Sequence, residues 1–318
     1  MYRVIDLAPD GTASERAGEQ WLAVPTDGVV RWVDVTSPDG AELELLRQGF
    51  ALDPLAIADC SKYDRQPKVD EYERYLFVVI HAFTPDEADP LEIKIHEVHA
   101  FLGENYLITV HDGALPALGV LSKPSNTGHV LARGPSWALY LAVEAMVKMC
   151  DPLVEKLIDE LDDAERKVIE DGEAVEIGSV FRIKRHAVSM RRVLRPLRDT
   201  LRLLHRRTDG RVSPRAALHF RDLADHVQLQ ADTIEDAREV AVGVVASYQA
   251  LLGTRTNEVV KRLTLFSAVF LPLGFIVGFW GQNFTGLPFG DTWALVLMLV
   301  SLVVVPIALL EWFRRNWL

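Results

Sequence analysis

Cysteine is nearly missing from this sequence: Cys60 and Cys150 are the two it holds, they lie far apart, and they form no CxxC pair. That suits a reducing compartment and excludes a cysteine-based zinc site of ordinary spacing. No GxxxxGK[ST] run occurs, so ATP-driven pumping is not built into this chain. Positive charge is in deficit, 34 Lys and Arg against 45 Asp and Glu for a net charge of −11. Phosphate recognition needs a basic surface, so a nucleic-acid partner is excluded. The first residues, Met1-Tyr2-Arg3-Val4-Ile5-Asp6, lack an apolar core of signal-peptide type, which predicts that the soluble part stays in the cytoplasm.

Charge is also missing from two long runs near the C-terminus, Leu263–Trp280 and Thr292–Leu310. About 20 residues at 1.5 Å each span the hydrocarbon of a bilayer, so each run is long enough to cross as a helix. The connector 281–291 is too short to be a domain, which makes the pair a hairpin that enters and leaves on one side. Lys261 and Arg262 precede the first run, Arg314 and Arg315 follow the second, and the connector carries no Lys or Arg. By the positive-inside rule both termini are cytoplasmic and the connector faces out, in a plasma or bacterial inner membrane. Trp280, Trp293, Trp312 and Trp317 fall at the expected interfaces with lipid headgroups.

The remaining length has room for one soluble region of about 250 residues. Residues 1–135 read as an α/β domain. Strand-like runs at 29–35, 74–80 and 106–110 are rich in β-branched and aromatic residues, and helices are expected at 40–48 and 54–61. His96-Glu97-Val98-His99 lacks HExxH spacing; in a strand its two histidines point to opposite faces, which favours a structural role over a metal site. Residues 136–262 read as a helical stalk, with an acidic stretch around 151–176, a basic stretch around 182–202 and a turn at 208–214. Two readings of the charged stretches stay open: paired solvated helices, or an acidic collar that concentrates cations. Residues 263–318 form the transmembrane hairpin.

Within and before the first span, Asn257, Val260, Thr264, Ser267, Leu271, Gly274, Gly278 and Gly281 recur at steps of three and four. That spacing puts them on one face of a helix. Most are small or polar, whereas Phe266, Phe270, Phe275 and Phe279 occupy other faces. Such a stripe packs against copies of itself or lines a water path. Two spans of one chain cannot enclose a channel, so the second option demands a homo-oligomer.

The runs 256–264 and 270–284, the latter ending Gly281-Gln282-Asn283-Phe284, resemble the CorA-type divalent-cation transporters, whose connector opens with Gly-Met-Asn. The segments 220–226 and 66–72 resemble the family as well. Gln282 replaces the signature methionine. ZntB-type zinc transporters also lack that methionine and keep a Gly-x-Asn form, so the change bears on Mg²⁺ more than on divalent-cation transport.

The resemblance implies a homopentameric funnel, an α/β cytoplasmic domain leading through a long helical stalk into two spans, with no covalent cofactor. Divalent cations, Mg²⁺ above all with Co²⁺ or Ni²⁺ also possible cargo, are substrate and regulator. Gly281, Gln282 and Asn283 would form the pore entrance, Asn283 as a ring of carboxamide oxygens that hydrogen-bond the hydrated ion. Val260 and Leu271 would be apolar constrictions, with Asn257 and Thr264 polar stations between and Ser267, Gly274 and Gly278 completing the lining. By the same resemblance Asp222 and Asp225 would sense cytoplasmic cations across a subunit interface, opposite Asp86, Asp89 or Glu92. Two other functions remain open at this point: a Zn²⁺ transporter, passive or proton-coupled, and a membrane-anchored cytoplasmic sensor or enzyme. The second has no use for a polar stripe and no recognisable catalytic grouping.

Overall fold

In the computed structural model the described residues are 2–63, 65–86, 92–113, 115–121, 124–169, 177–207, 209–282 and 291–316. Contacts divide the chain into two units, Met1–Val245 and Ala246–Leu318.

The inner strands of the first unit form where apolar and β-branched residues cluster, and the two edge strands are short and polar. In chain order the strands are β1 (Tyr2–Leu7), β2 (Ala13–Arg16), β3 (Val30–Thr36), β4 (Lys68–Glu71), β5 (Tyr75–Pro85), β6 (Ile93–Gly103) and β7 (Tyr106–His111). One sheet joins them in the order β2-β1-β3-β7-β6-β5-β4. Every pairing is antiparallel except β3 with β7, where Trp32 lies beside Leu107 and Val35 beside Val110. Strand alternation sends Val4, Val33, Phe77, Phe101 and Ile108 into one core layer.

That layer is closed by α1 (Gly40–Phe50) and α2 (Pro54–Cys60) through Leu46, Phe50 and Cys60. Both helices begin where local chemistry dictates. Asp39 and Glu42 form a reciprocal capping box at α1, and Asp53 caps α2 ahead of Pro54 at its first turn. The expected helices 40–48 and 54–61 thus stand, the first two residues longer, because Phe50 is drawn into the core. Gly49 sits where α1 passes the chain at Leu22 so closely that a Cβ would fall 1.6 Å from the Leu22 carbonyl oxygen.

A buried ion pair ties β1 to β3: Arg31 Nε and Nη2 donate to the two oxygens of Asp6 at 2.7 and 2.8 Å. Its Nη1 donates to the Trp21 and Ala23 carbonyls at 2.8 Å each. On β6 the expected alternation holds: His99 is buried, its Nε2 hydrogen-bonded to a carboxylate oxygen of Glu97 at 2.6 Å, while His96 remains partly exposed beside Thr84.

The helices that follow are α3 (Pro124–Leu131), α4 (Pro135–Lys148), α5 (Asp151–Ile169), α6 (Ile177–His205) and α7 (Pro214–Trp280); α8 (Thr292–Asn316) ends the chain. Helix α4 is buried along most of its length and packs on β5, β6 and β7. The charged stretches are α5 and α6. Asp163 pairs with Arg166 and Lys167 on α5 itself, whereas Arg191 and Arg195 of α6 reach Glu235 of α7. Leu153 and Leu157 of α5 line a cavity together with Ile183 of α6, so apolar residues also join these two helices.

Candidate pore-lining face and cation-responsive cleft

Helix α7 runs 67 residues without interruption. In its first half a repeating set that includes Phe220, Leu223, Val227, Ile234, Ala241 and Val244 is buried, at the three- and four-residue steps of a core-facing helix. After Val244 no residue of α7 is buried by the rest of the chain. Val260, Leu263, Phe266, Leu271 and Phe275 are all more than half exposed. An apolar surface of this extent marks lipid or another protein. The C-terminal part of α7 and α8 are both long and apolar enough to cross a membrane, with at most 6% of the most apolar stretch buried.

The helix places Asn257, Val260, Thr264, Ser267, Leu271, Gly274 and Gly278 as the spacing requires, on one uninterrupted element. Ser267, Leu271 and Gly274 share a groove of about 530 Å³ with Phe266, Phe270 and Phe275, so the aromatic rings form the flanks of the small-residue face. Phe266 stacks on Phe270 at 4.2 Å between centroids. The Thr264 hydroxyl donates to the Val260 carbonyl at 2.8 Å. A Cβ added at Gly274 or Gly278 would meet nothing, so contacts within the chain do not account for the two glycines. Gly281 closes the last turn of α7 by donating to the Val277 carbonyl at 2.9 Å, and Gln282 follows exposed. Asn283 lies outside the described residues.

Asp222 and Asp225 are exposed on the first half of α7. Asp222 lines a cleft of about 190 Å³ with Tyr140, Glu144 and Lys148 of α4 and His219 and His226 of α7. Burial pushes the Tyr140 phenol above its ordinary value, and the Glu144 and Asp222 carboxylates push the same way. His226 bonds to Asp151 at 2.9 Å. Sequence reasoning did not connect α4 with Asp222, and no local signal marks Tyr140 or Glu144, because the two segments meet only through tertiary packing. Of the expected partners, Asp86 pairs with Lys94 at 2.6 Å and Glu92 with Arg185 at 3.3 Å; Asp89 lies outside the described residues. Among the described residues no three His, Cys, Asp or Glu side chains are arranged to hold a metal ion.

Residues 27–315 match the family described as CorA-like Mg²⁺ transporter protein. The chain belongs to the CorA family. It is therefore a membrane protein that moves divalent cations, and not an enzyme. It is 30% identical over 289 residues to the putative metal ion transporter YfjQ of Bacillus subtilis, covering 90% of this chain and 89% of that one. It is 28% identical over 296 residues to the cobalt/magnesium transport protein CorA of Thermotoga maritima, covering 90% of this chain and 83% of the relative. A weaker similarity, 25% over 270 residues, links it to the zinc transport protein ZntB of Klebsiella pneumoniae. The complete structure of the CorA magnesium transporter from Methanocaldococcus jannaschii superposes with a TM-score of 0.85 at 21% identity, over 100% of this chain and 99% of that one. That likeness shows the CorA fold: an α/β domain, a long helix and a C-terminal apolar helix.

Proposed function

We propose that five copies of this chain surround an axis lined by α7 and conduct Mg²⁺, with Co²⁺ and Ni²⁺ as further cargo, into the cytoplasm. Both termini lie on the cytoplasmic side of a plasma or inner membrane. One observation carries the reading: on the bare half of α7 the small and polar residues share a face, and Gly274 and Gly278 stand in open space. Close approach of neighbouring copies gives those glycines a purpose. Asn283, with Gly281 and Gln282, selects the hydrated ion at the outer mouth, since Mg²⁺ sheds water reluctantly and amide oxygens can accept from its aqua ligands. Val260 and Leu271 narrow the path, and Asn257, Thr264 and Ser267 are polar stations along it. Roughly 2.3 kcal/mol per charge per 100 mV gives a divalent ion about 4.6 kcal/mol of inward drive, so no coupled energy source is needed.

Cytoplasmic cations regulate the path at Asp222 and Asp225. Carboxylates brought together between copies repel, a bound divalent ion relieves the repulsion, and its loss favours the open state. Asp89 is the third residue assigned to this role. The exposure of both aspartates, with no basic residue of another helix paired to either among the described residues, supports it.

Zn²⁺ is the second reading, favoured by Gln282 in place of methionine and by the similarity to a ZntB protein. Uptake into proteoliposomes of Mg²⁺ and of Zn²⁺, each with and without a proton gradient, decides between them. Asn283→Ala is expected to abolish uptake while the oligomer survives size-exclusion chromatography. Undiminished uptake in that variant, or a monomeric particle that carries neither ion, overturns the reading.

A further inference from the structure

The turn between β4 and β5, the turn between β6 and β7 and the residues just before α7 border a cleft of about 530 Å³, within the range of small-molecule sites. Tyr106 stands in its wall. The residue is 3% exposed, and its hydroxyl has no hydrogen-bond partner among the described residues. A buried polar atom without a partner costs stability, so its persistence asks for a use. The ring occupies space above Gly103, where a Cβ would fall 2.4 Å from the carbon that carries the hydroxyl; glycine admits the phenol there. Burial pushes the phenol up to about 12 and the Arg74 and Arg211 guanidiniums draw it back, so the hydroxyl is a neutral donor near two positive charges.

Charge around the cleft narrows what it can hold. Arg211 is pinned by the Tyr72, Glu73 and Tyr75 carbonyls at 2.9, 3.0 and 3.3 Å, and Asp209 at 3.7 Å offsets its charge. That leaves Arg74 against the Glu73 and Glu104 carboxylates, all three exposed and none in an ion pair among the described residues. A purely anionic ligand would add to an excess of carboxylates. A purely cationic one would leave the Tyr106 hydroxyl and the Arg74 fork of donors unused. We propose that this cleft binds a basic α-amino acid, its carboxylate received by Tyr106 and Arg74 and its two ammonium groups by Glu73 and Glu104. Such a ligand satisfies the orphaned phenol and balances the three free charges at once. It also bridges two strand turns and the root of α7, a place remote in sequence from the spans.

Isothermal titration calorimetry on the full-length protein in detergent tests this with three related probes. L-lysine is expected to bind saturably. Cadaverine, which lacks the carboxylate, and hexanoate, which lacks both ammonium groups, should each bind at least about tenfold more weakly, the scale of one charge-assisted hydrogen bond. Tyr106→Phe should weaken lysine binding about tenfold. Arg74→Gln and Glu104→Gln should each weaken it about threefold, because both side chains lie in solvent. These two surface variants keep the test decisive whatever Tyr106→Phe does to folding. Without any probe, Tyr106→Phe should melt no lower than the parent, because the hydroxyl it removes holds no bond within the chain. A lower midpoint would show the phenol already satisfied and would overturn the site. So would the absence of saturable lysine binding, cadaverine or hexanoate bound as tightly as lysine, or parent-like affinity in Arg74→Gln or Tyr106→Phe.

Discussion

Replacing Arg31 by methionine tests whether the α/β domain depends on its buried charge pair. The Arg31 and Asp6 side chains are 5% and 3% exposed, and two guanidinium nitrogens meet the two carboxylate oxygens at 2.7 and 2.8 Å. Methionine fills much of the arginine volume but leaves the carboxylate with Arg16 alone, at 3.3 Å and partly in solvent. The Trp21 and Ala23 carbonyls lose their donor at the same time. Breaking a buried pair from one side costs about 3–5 kcal/mol, a large part of the roughly 5–15 kcal/mol that stabilises a typical domain. At about 1.4 kcal/mol per factor of ten, amides of β1 and β3 should exchange roughly two to four orders of magnitude faster. Hydrogen-exchange mass spectrometry on the full-length protein in detergent, read on peptides covering 2–7 and 30–36, measures this directly. Asp6→Leu combined with Arg31→Met should recover most of the loss, because two matched apolar groups need no partner. Less than a fivefold acceleration in Arg31→Met would refute the reasoning, since the pair would then contribute no more than one on the surface.

Burial pushes the His81 imidazole down from its ordinary 6.5 to about 4; Glu97, 3.7 Å away, pulls the other way, and His99 adds to the lowering. The unfolded chain therefore binds this proton more readily than the folded one, so the stability contribution is complete above about pH 6.5 and is lost as pH falls toward 4. The loss amounts to about 3 kcal/mol, and His81→Gln should flatten that part of a urea-midpoint profile relative to the parent; parallel profiles would count against it. Gly49→Ala should destabilise α1 by about 1–3 kcal/mol, although alanine is the better helix former, because its Cβ would collide with the Leu22 backbone. A thermal midpoint equal to or above that of the parent would show that the loop at Leu22 yields without strain.

Much of the candidate pore was legible before any fold was known. Its stripe is a pattern along one helix, and a helix repeats every 3.6 residues wherever it sits. The same holds for the capped starts of α1 and α2, where Asp39 and Asp53 act on amides two or three residues away. The cleft at Asp222 was not legible, because Tyr140 and Glu144 lie some eighty residues earlier in the chain and carry no motif.

Local sequence by itself determined that two long runs without charge lie at 263–280 and 292–310, that one side of the first is mostly small and polar, and where α1 and α2 begin. Each depends on near neighbours alone. Tertiary structure decided the strand order, the single parallel pairing of β3 with β7, the burial of Arg31 against Asp6, and the place along α7 where burial stops. These depend on which distant segments cover a given surface, and periodicity does not carry that information.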